Sequence, residues 1–405
     1  MLLAGRLLLG LAFTVNGVSG PSLVAESTPG KTHIFLTNAI VIGMPIFGTI
    51  ATAIIYGIYE STSNWAWRGA ILAELFAPTL SMLCLPFVPE SPRWLVSRGR
   101  KDEAFDILVK MHASTPESAG VVKEEFEQIV QTIEFEKHAE ESGANSWKAL
   151  LATPSDRKRF LIALLLNIFF QVSGSNTFPY FFVLVLHGAG IVDTRDNLNI
   201  NMGLCIWGVA SVALGIWMCG RIGAKTSLLG ATSIMTVCLA LLAVLTGLNS
   251  STGESRFGIG AVIVIFIFQL ASFSTYMILT YTYPPMILRF TQRARGFALA
   301  QAIGYGFCVM MSYTLPLALE NIGWRFYAIN AAWNCGIVAI IWFLFVETKG
   351  KTLEEVDALF DGNVHFEVGS AEKGVVVIEG VEASGKSGET IVESTVNSEK
   401  DEKKL

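Results

Sequence analysis

Runs of apolar residues, each too long for an ordinary core helix, recur along this chain with short polar turns between them. The clearest are Leu161–Leu186, Ala261–Tyr283, Phe297–Leu319 and Ala328–Val346. A helix needs about 20 predominantly apolar residues to cross a bilayer. Backbone in lipid must satisfy its own hydrogen bonds, so repeated runs of this kind predict a bundle of membrane helices. About nine spans follow from length and apolarity. They are Leu2–Leu23, Ile34–Tyr56, Gly69–Val88, Phe160–Leu186, Ile200–Met218, Ser227–Leu248, Gly258–Tyr283, Phe297–Leu319 and Tyr327–Val346. The expected fold class is all-α, a polytopic membrane helix bundle.

Composition agrees. The chain is 52% hydrophobic and only 16% charged, with a mean hydropathy of +0.51, whereas soluble domains run near 25% charged. A net charge of −5 with no basic face excludes a nucleic-acid partner. Cys84, Cys205, Cys219, Cys238, Cys308 and Cys335 lie in or beside apolar runs and read as small buried hydrophobes. His33, His112, His138, His187 and His365 are scattered, without metal-ligand spacing. Gly30-Lys31-Thr32 lacks the upstream glycine of a phosphate loop. With no nucleophile beside a base, the sequence predicts neither an enzyme nor a metal or cofactor site.

Orientation follows from lysine and arginine placement. Arg93, Arg98, Arg100, Lys101, Lys110, Lys123 and Arg157–Arg159 fall on one side of the bundle, with Arg221, Lys225, Arg289, Arg293, Arg295, Lys349 and Lys351. That side is expected to be cytosolic, with the C-terminus on it. The N-terminus is then outside. The first span carries Arg6 and has the apolar run of a signal segment, but it lacks a small-residue cleavage site followed by a soluble domain. Between Pro92 and Arg159, Phe105, Leu108 and Val109 share a helical face, as do Phe126, Ile129, Val130 and Ile133. Two short amphipathic helices are expected there. Beyond Phe360 the chain is rich in Gly, Ser, Glu and Lys and is expected to be disordered, although Val375–Ile378 is β-prone.

Four motifs carry a resemblance. Pro89-Glu90-Ser91-Pro92-Arg93-Trp94-Leu95 and Glu347-Thr348-Lys349-Gly350-Lys351-Thr352-Leu353-Glu354-Glu355 are the long ones. Gln171-Val172-Ser173-Gly174-Ser175-Asn176 and Gly5-Arg6-Leu7-Leu8-Leu9-Gly10 are the short ones. In order and spacing they resemble the sugar porters of the major facilitator superfamily, with the flavour of fungal lactose and hexose permeases. The resemblance implies a partial major facilitator fold in which the first span corresponds to that family's fourth helix, the first three being absent. Residues 1–91 would form an incomplete N-terminal half and 92–159 a cytosolic helical loop. Residues 160–346 would form a complete six-helix half, 347–360 a signature segment and 361–405 a tail. It further implies carbohydrate transport by alternating access in a multi-pass protein of the plasma membrane, with a small sugar and the lipid bilayer as partners. Protons and a protein that completes the bundle are further candidate partners.

Within that frame Gln171, Asn176 and Tyr180 are the candidate sugar contacts. Amides offer donor and acceptor without a charge to desolvate, and a tyrosine can stack on a sugar face or hydrogen-bond through its hydroxyl. The same amides can instead tie helices together. Gly174 reads as a packing and terminating residue. Glu74, inside an apolar span, and Glu26, near the end of the first, are candidates for proton binding or for interhelical packing. Glu90, Arg93, Arg221, Arg293 and Glu347 are the candidate gate charges at the cytosolic end, Glu90 pairing with Arg93 and Glu347 with an arginine of a neighbouring turn.

Departures from the family pattern are as informative. Phe170 stands where a first glutamine is usual, Gly220-Arg221-Ile222-Gly223-Ala224-Lys225 lacks an acidic and a basic residue, and Met286 occupies an acidic position. Tyr305 and Cys308 stand where amides are expected. These losses leave open a membrane sugar sensor that does not transport, and a truncated inactive product.

Overall fold

The computed structural model describes residues 2–27, 32–60, 63, 65–112, 118–141, 147–175, 185–187, 193–218, 221–252, 255–289, 292–349 and 360. Among them every regular element is helical. The N-terminal part holds α1 (Leu2–Ser27), α2 (Thr32–Ile58), α3 (Trp65–Glu74) and α4 (Phe76–Cys84). The third expected span is therefore broken at Leu75, beside Glu74, and α3 and α4 together make one apolar run, Trp67–Phe87.

A 3₁₀ turn at Leu85–Phe87 leads to α5 (Pro92–Ser97). The first long motif has a local physical meaning here. Ser91 caps α5 by accepting the Trp94 N–H at 3.2 Å, and Pro92 sits in the first turn, where its missing N–H costs nothing. α6 (Lys101–His112) and α7 (Ser118–Glu141) follow. With α5 they close a small core of Leu95, Val96, Ala104, Leu108, Val122, Ile129 and Ile133. Phe105 meets Phe126 edge-on at 5.4 Å. The predicted apolar faces are the ones that pack, except that Val109 is exposed.

The remaining helices are α8 (Pro154–Val172), α9 (Thr194–Met218), α10 (Ala224–Thr252), α11 (Ser255–Ala271), α12 (Met277–Ile287), α13 (Arg293–Ile322) and α14 (Arg325–Leu344). A π turn, Ser272–Tyr276, joins α11 to α12 within one 32-residue span. α8 starts with Thr153 as N-cap and Pro154 in its first turn. It stops at Val172, short of the expected Leu186, because Gly174 adopts φ +96°, a left-handed conformation that a side chain disfavours. Seven of the expected spans are long and apolar enough to cross a membrane among the described residues. The first is a helix with a shorter apolar stretch, Leu3–Gly17, and the outer part of the fourth, with the tail 361–405, lies outside the described residues.

Packing is uneven. The main core is built by α8 and α10–α14, from Ile162, Leu166, Met235, Leu239, Ile265, Phe268, Tyr276, Tyr283, Ile287 and Ile341 among others. Of the most apolar 18 residues within Ala224–Thr252 44% are buried, but none of those within Trp67–Phe87, so the α3–α4 run is the least covered part of the bundle. α10 packs on α14 and α11, α8 on α13, and α2 on α9. The α2–α9 contact ties the N-terminal helices to the C-terminal half. A Cβ on Gly208 of α9 would lie 3.3 Å from Cβ of Pro45 in α2, and Thr52 meets Cys205 at 3.6 Å. Small residues let membrane helices approach this closely.

Candidate functional site

The broken end of α8 gathers a buried polar cluster. Gln171, in the last turn, is 4% exposed, and Ser173 and Ser175 are buried beside it. The two serine hydroxyls meet at 3.0 Å, and Ser272, from the π turn, donates to Ser175 at 2.9 Å. Carbonyls freed where α8 ends are taken by the last helix: Trp333 Nε1 donates to Val172 O at 2.8 Å and Asn334 Nδ2 to Ser173 O at 3.0 Å. In the same region Thr232 and Tyr276 share a 2.6 Å hydrogen bond, and the Phe170 and Tyr276 rings stack at 6.3 Å. The cluster is uncharged. It offers hydroxyls, amides and aromatic faces, which suits a neutral, hydroxyl-rich ligand.

Of the three predicted sugar contacts, the structure places Gln171 in this cluster, while Asn176 and Tyr180 lie outside the described residues. Sequence reading missed Ser272, Thr232, Tyr276, Trp333 and Asn334. A signal existed for part of the set: Asn330 and Asn334 are four apart inside an apolar span, a spacing that puts both amides on one helix face. The π turn left none.

A second feature is charged. Arg6 of α1 and Glu74 of α3 form an ion pair at 3.5 Å, with side chains 63% and 50% exposed. Inside spans, such charges need a water-filled cavity or polar protein around them. Glu26 falls in the last turn of α1.

The gate candidates sort differently from expectation. Glu90 and Arg93 are both exposed, and among the described residues no ion pair joins them. The start of α5 separates them: Glu90 precedes the Ser91 cap and Arg93 lies in the first turn. Arg100 forks onto Glu103, which holds that carboxyl below its ordinary range, and Glu90 adds a weaker field at Arg100. Arg221 folds back on its own helix end, donating to Trp217 O at 3.1 Å with its guanidinium 4.2 Å from the Trp217 ring centre. Arg293 opens α13 and is half-buried.

Glu347 caps a helix. Its Oε2 accepts from Thr226 N at 3.2 Å and Thr226 Oγ1 at 3.1 Å, at the N-terminus of α10. A carboxylate there satisfies free N–H groups and meets the positive end of the helix dipole. The approach needs Gly223, since a Cβ there would fall 2.1 Å from Glu347 Oε2. Tyr283 fixes the same segment by donating to Val346 O at 2.7 Å. Glu347→Ala is therefore expected to cost about 1 kcal/mol, the usual worth of a helix cap. A thermal midpoint in detergent reads this; an unchanged midpoint would contradict the capping role.

One charge pair at this end was not anticipated. Asp156, 3% exposed, is held by Thr153, whose Oγ1 donates to Oδ2 at 2.7 Å and accepts the Asp156 N–H at 3.1 Å. Its Oδ1 lies 3.0 Å from Nε of Arg289. Arg159, 1% exposed, reaches Ile287 O at 3.3 Å and lies 4.8 Å from the Phe360 ring centre. Met286, at the expected acidic position, is exposed. The carboxylate that meets an arginine at the end of α12 thus comes from α8. At the opposite end of the bundle Tyr59 donates to Glu60 at 2.7 Å.

A bundle of long apolar helices with a buried, uncharged polar centre and charges at its ends defines a multi-pass membrane protein. The family follows from comparison: residues 1–360 match the model described as "Sugar (and other) transporter", and the chain belongs to that family. It is 26% identical over 370 residues to the MFS-type transporter oryC of Aspergillus oryzae, covering 89% of this chain and 67% of that protein. It is 28% identical over 383 residues to the high-affinity fructose transporter ght6 of Schizosaccharomyces pombe, covering 90% and 68%. The chain thus spans about two thirds of the length of these relatives. Among solved structures it resembles the proton:xylose symporter XylE bound to 6-bromo-6-deoxy-D-glucose, with TM-score 0.65, 22% identity and coverage of 84% of this chain and 70% of that one. The inward-open form of XylE from E. coli gives TM-score 0.64 and 21% identity, covering 84% and 68%. The fold is that of the major facilitator superfamily.

Proposed function

We propose that this sugar-porter-type carrier takes monosaccharides across the plasma membrane, alternating access to a site lined by Gln171. The observation that carries the reading is the buried, uncharged hydroxyl and amide cluster at the end of α8. Relatives named as fructose and hexose transporters, and the similarity to a xylose symporter, support the substrate class. Asn176 and Tyr180 are the further proposed contacts. The basic residues at the Asp156 and Glu347 end support a cytosolic C-terminus, because lysine and arginine collect on that side. Asp156, Arg289, Arg221, Arg293 and Glu347 would then steady the cytosolic end of the C-terminal half as the halves rock, with Glu90 and Arg93 at the matching end of the N-terminal one.

The substrate class has a direct test. A ligand that binds only the folded state stabilises it by about 2.7 kcal/mol at a hundred times its dissociation constant. Monosaccharides are expected to raise the thermal midpoint of the purified chain, and disaccharides and organic acids to leave it unchanged. The reverse order would contradict the reading.

Protons are proposed as the coupling ion, with Glu74 as carrier. Support comes from its place inside a span and its pairing with Arg6, which loading or release of a proton would make or break. Sugar uptake is then expected to rise as external pH falls, and Glu74→Gln to flatten that dependence. A pH profile unchanged in the variant would return Glu74 to a packing role.

The exposed Arg6–Glu74 pair favours a second reading, in which a protein partner covers it and completes the bundle. Cross-linking in native membranes separates the two: a carrier working alone runs at monomer mass, and a completed one carries a second chain.

A further inference from the structure

A helix that stops inside a membrane bundle leaves carbonyls that lipid cannot satisfy. α8 does this at Val172, one residue beyond Gln171. Its free end is seated on α14. Trp333 Nε1 holds Val172 O at 2.8 Å and Asn334 Nδ2 holds Ser173 O at 3.0 Å. On the other side the hydroxyls of Ser173, Ser175 and Ser272 tie the turn to the π turn. One turn before Asn334 lies Asn330, 0% exposed, whose Nδ2 is 3.0 Å from where a Cβ on Gly174 would sit. Neither end of the Asn330 amide has a hydrogen-bond partner among the described residues.

We infer that α14 is the seat of the broken helix: Trp333 and Asn334 are positioning residues for Gln171, and Asn330 is a reserve amide that binds the Ser173–Ser175 turn in another state of the transport cycle. The inference rests on the proposed sugar contact of Gln171. Two neighbouring carbonyls held by two side chains of one helix fix both the axial position and the rotation of the last turn of α8. That turn carries Gln171, so its amide is aimed from α14. Asn330 has a different part. A buried amide with nothing to bond is costly, and the cost is relieved in any arrangement where the turn swings onto it. Its effect belongs to the change between states, not to ground-state binding. Gly174 is what allows the swing, since without a Cβ nothing stands between the turn and Asn330, and its positive φ is one that glycine adopts freely.

The two parts separate kinetically. Trp333→Phe keeps the ring and removes the donor, and Asn334→Leu is close to isosteric. Each is expected to raise KM for the transported sugar about fivefold, the worth of one lost hydrogen bond acting through position, with Vmax per delivered molecule unchanged. Asn330→Leu removes an unpaired amide. It is expected to lower Vmax about tenfold with KM unchanged, because the present arrangement is stabilised against its alternative. Trp342→Phe, an exposed position on the same helix, serves as control. Hydrogen exchange on the purified chain gives a readout independent of sugar. Amides of residues 173–175 are expected to exchange faster in Trp333→Phe than in the parent and the control.

Unchanged exchange in Trp333→Phe would overturn the seat. Faster exchange with KM unaltered would overturn the positioning of Gln171, and Asn330→Leu with parental Vmax would overturn the reserve amide. Absence of uptake by the parent chain would refute the proposed function instead, and the exchange comparison would still decide the seat.

Discussion

A single methyl group on Gly215 is expected to prevent stable assembly of this chain. Gly215 lies in α9 where it crosses the π turn, and a Cβ there would fall 2.3 Å from the carbonyl oxygen of Ser274 and 2.7 Å from Cδ1 of Ile278. The obstacle is backbone, so no rotamer change relieves it. The helices must separate, and the ties around the π turn separate with them: Ser272 to Ser175, Gln269 to Leu204 O and Thr232 to Tyr276. Overpacking a close contact costs about 1–3 kcal/mol and more when backbone must move. Gly215→Ala should therefore show little monodisperse protein in detergent and poor delivery to the membrane. Gly230→Ala in α10 is the control, because nothing lies within 4 Å of its Cβ position. Alanine there is expected to be neutral or to stabilise by about 0.5–1 kcal/mol, from helix propensity alone. Similar behaviour of the two variants would contradict the packing of α9 on the π turn.

The second large effect concerns transport and not assembly. Gln171→Ala should leave delivery to the membrane intact while uptake at low sugar concentration falls about tenfold or more, the usual consequence of removing a buried hydrogen-bonding partner of a ligand. Gln171 is buried in the last turn of α8, but that helix is held by others: by Ser173 and Val172 carbonyls on α14 and by Asp156 and Arg159 at its start. Those ties remain in place when its amide is removed. Asn321→Ala is the matched control, since that amide bonds only its own helix, at Leu317 O, 2.7 Å away, and is exposed. Equal uptake by the parent and Gln171→Ala would assign the glutamine to packing between helices.

What could be read in advance follows from the range of each interaction. The spans were legible because length and apolarity are local and bilayer thickness fixes the scale. The amphipathic faces of α6 and α7 were legible for the same reason, through Leu108 and Ile129. The end of α8 was half legible: Ser173-Gly174-Ser175 signals a stop, yet the apolar run beyond it read as continuing helix. The π turn was not legible, because nothing in its five residues distinguishes it from the α-helix on either side, and the tight crossing with Gly215 that accompanies it is a tertiary fact. Charge partners were the least legible. Glu347 meets Thr226 from 121 residues away, and Asp156 meets Arg289 across the bundle. Motif resemblance singled out Glu347, but pairing depends on how helix ends meet in space. For that reason the vacancy at Met286 looked like a lost gate charge, although an acid from α8 meets the arginine there.

The central claim is that this chain carries sugar through a site at the end of α8. The most direct test is uptake of labelled mono- and disaccharides by transporter-null cells expressing the chain, with delivery to the membrane verified. Saturable uptake of a monosaccharide that Gln171→Ala reduces about tenfold is the predicted result. Full delivery with no saturable uptake of any sugar in the panel would contradict it.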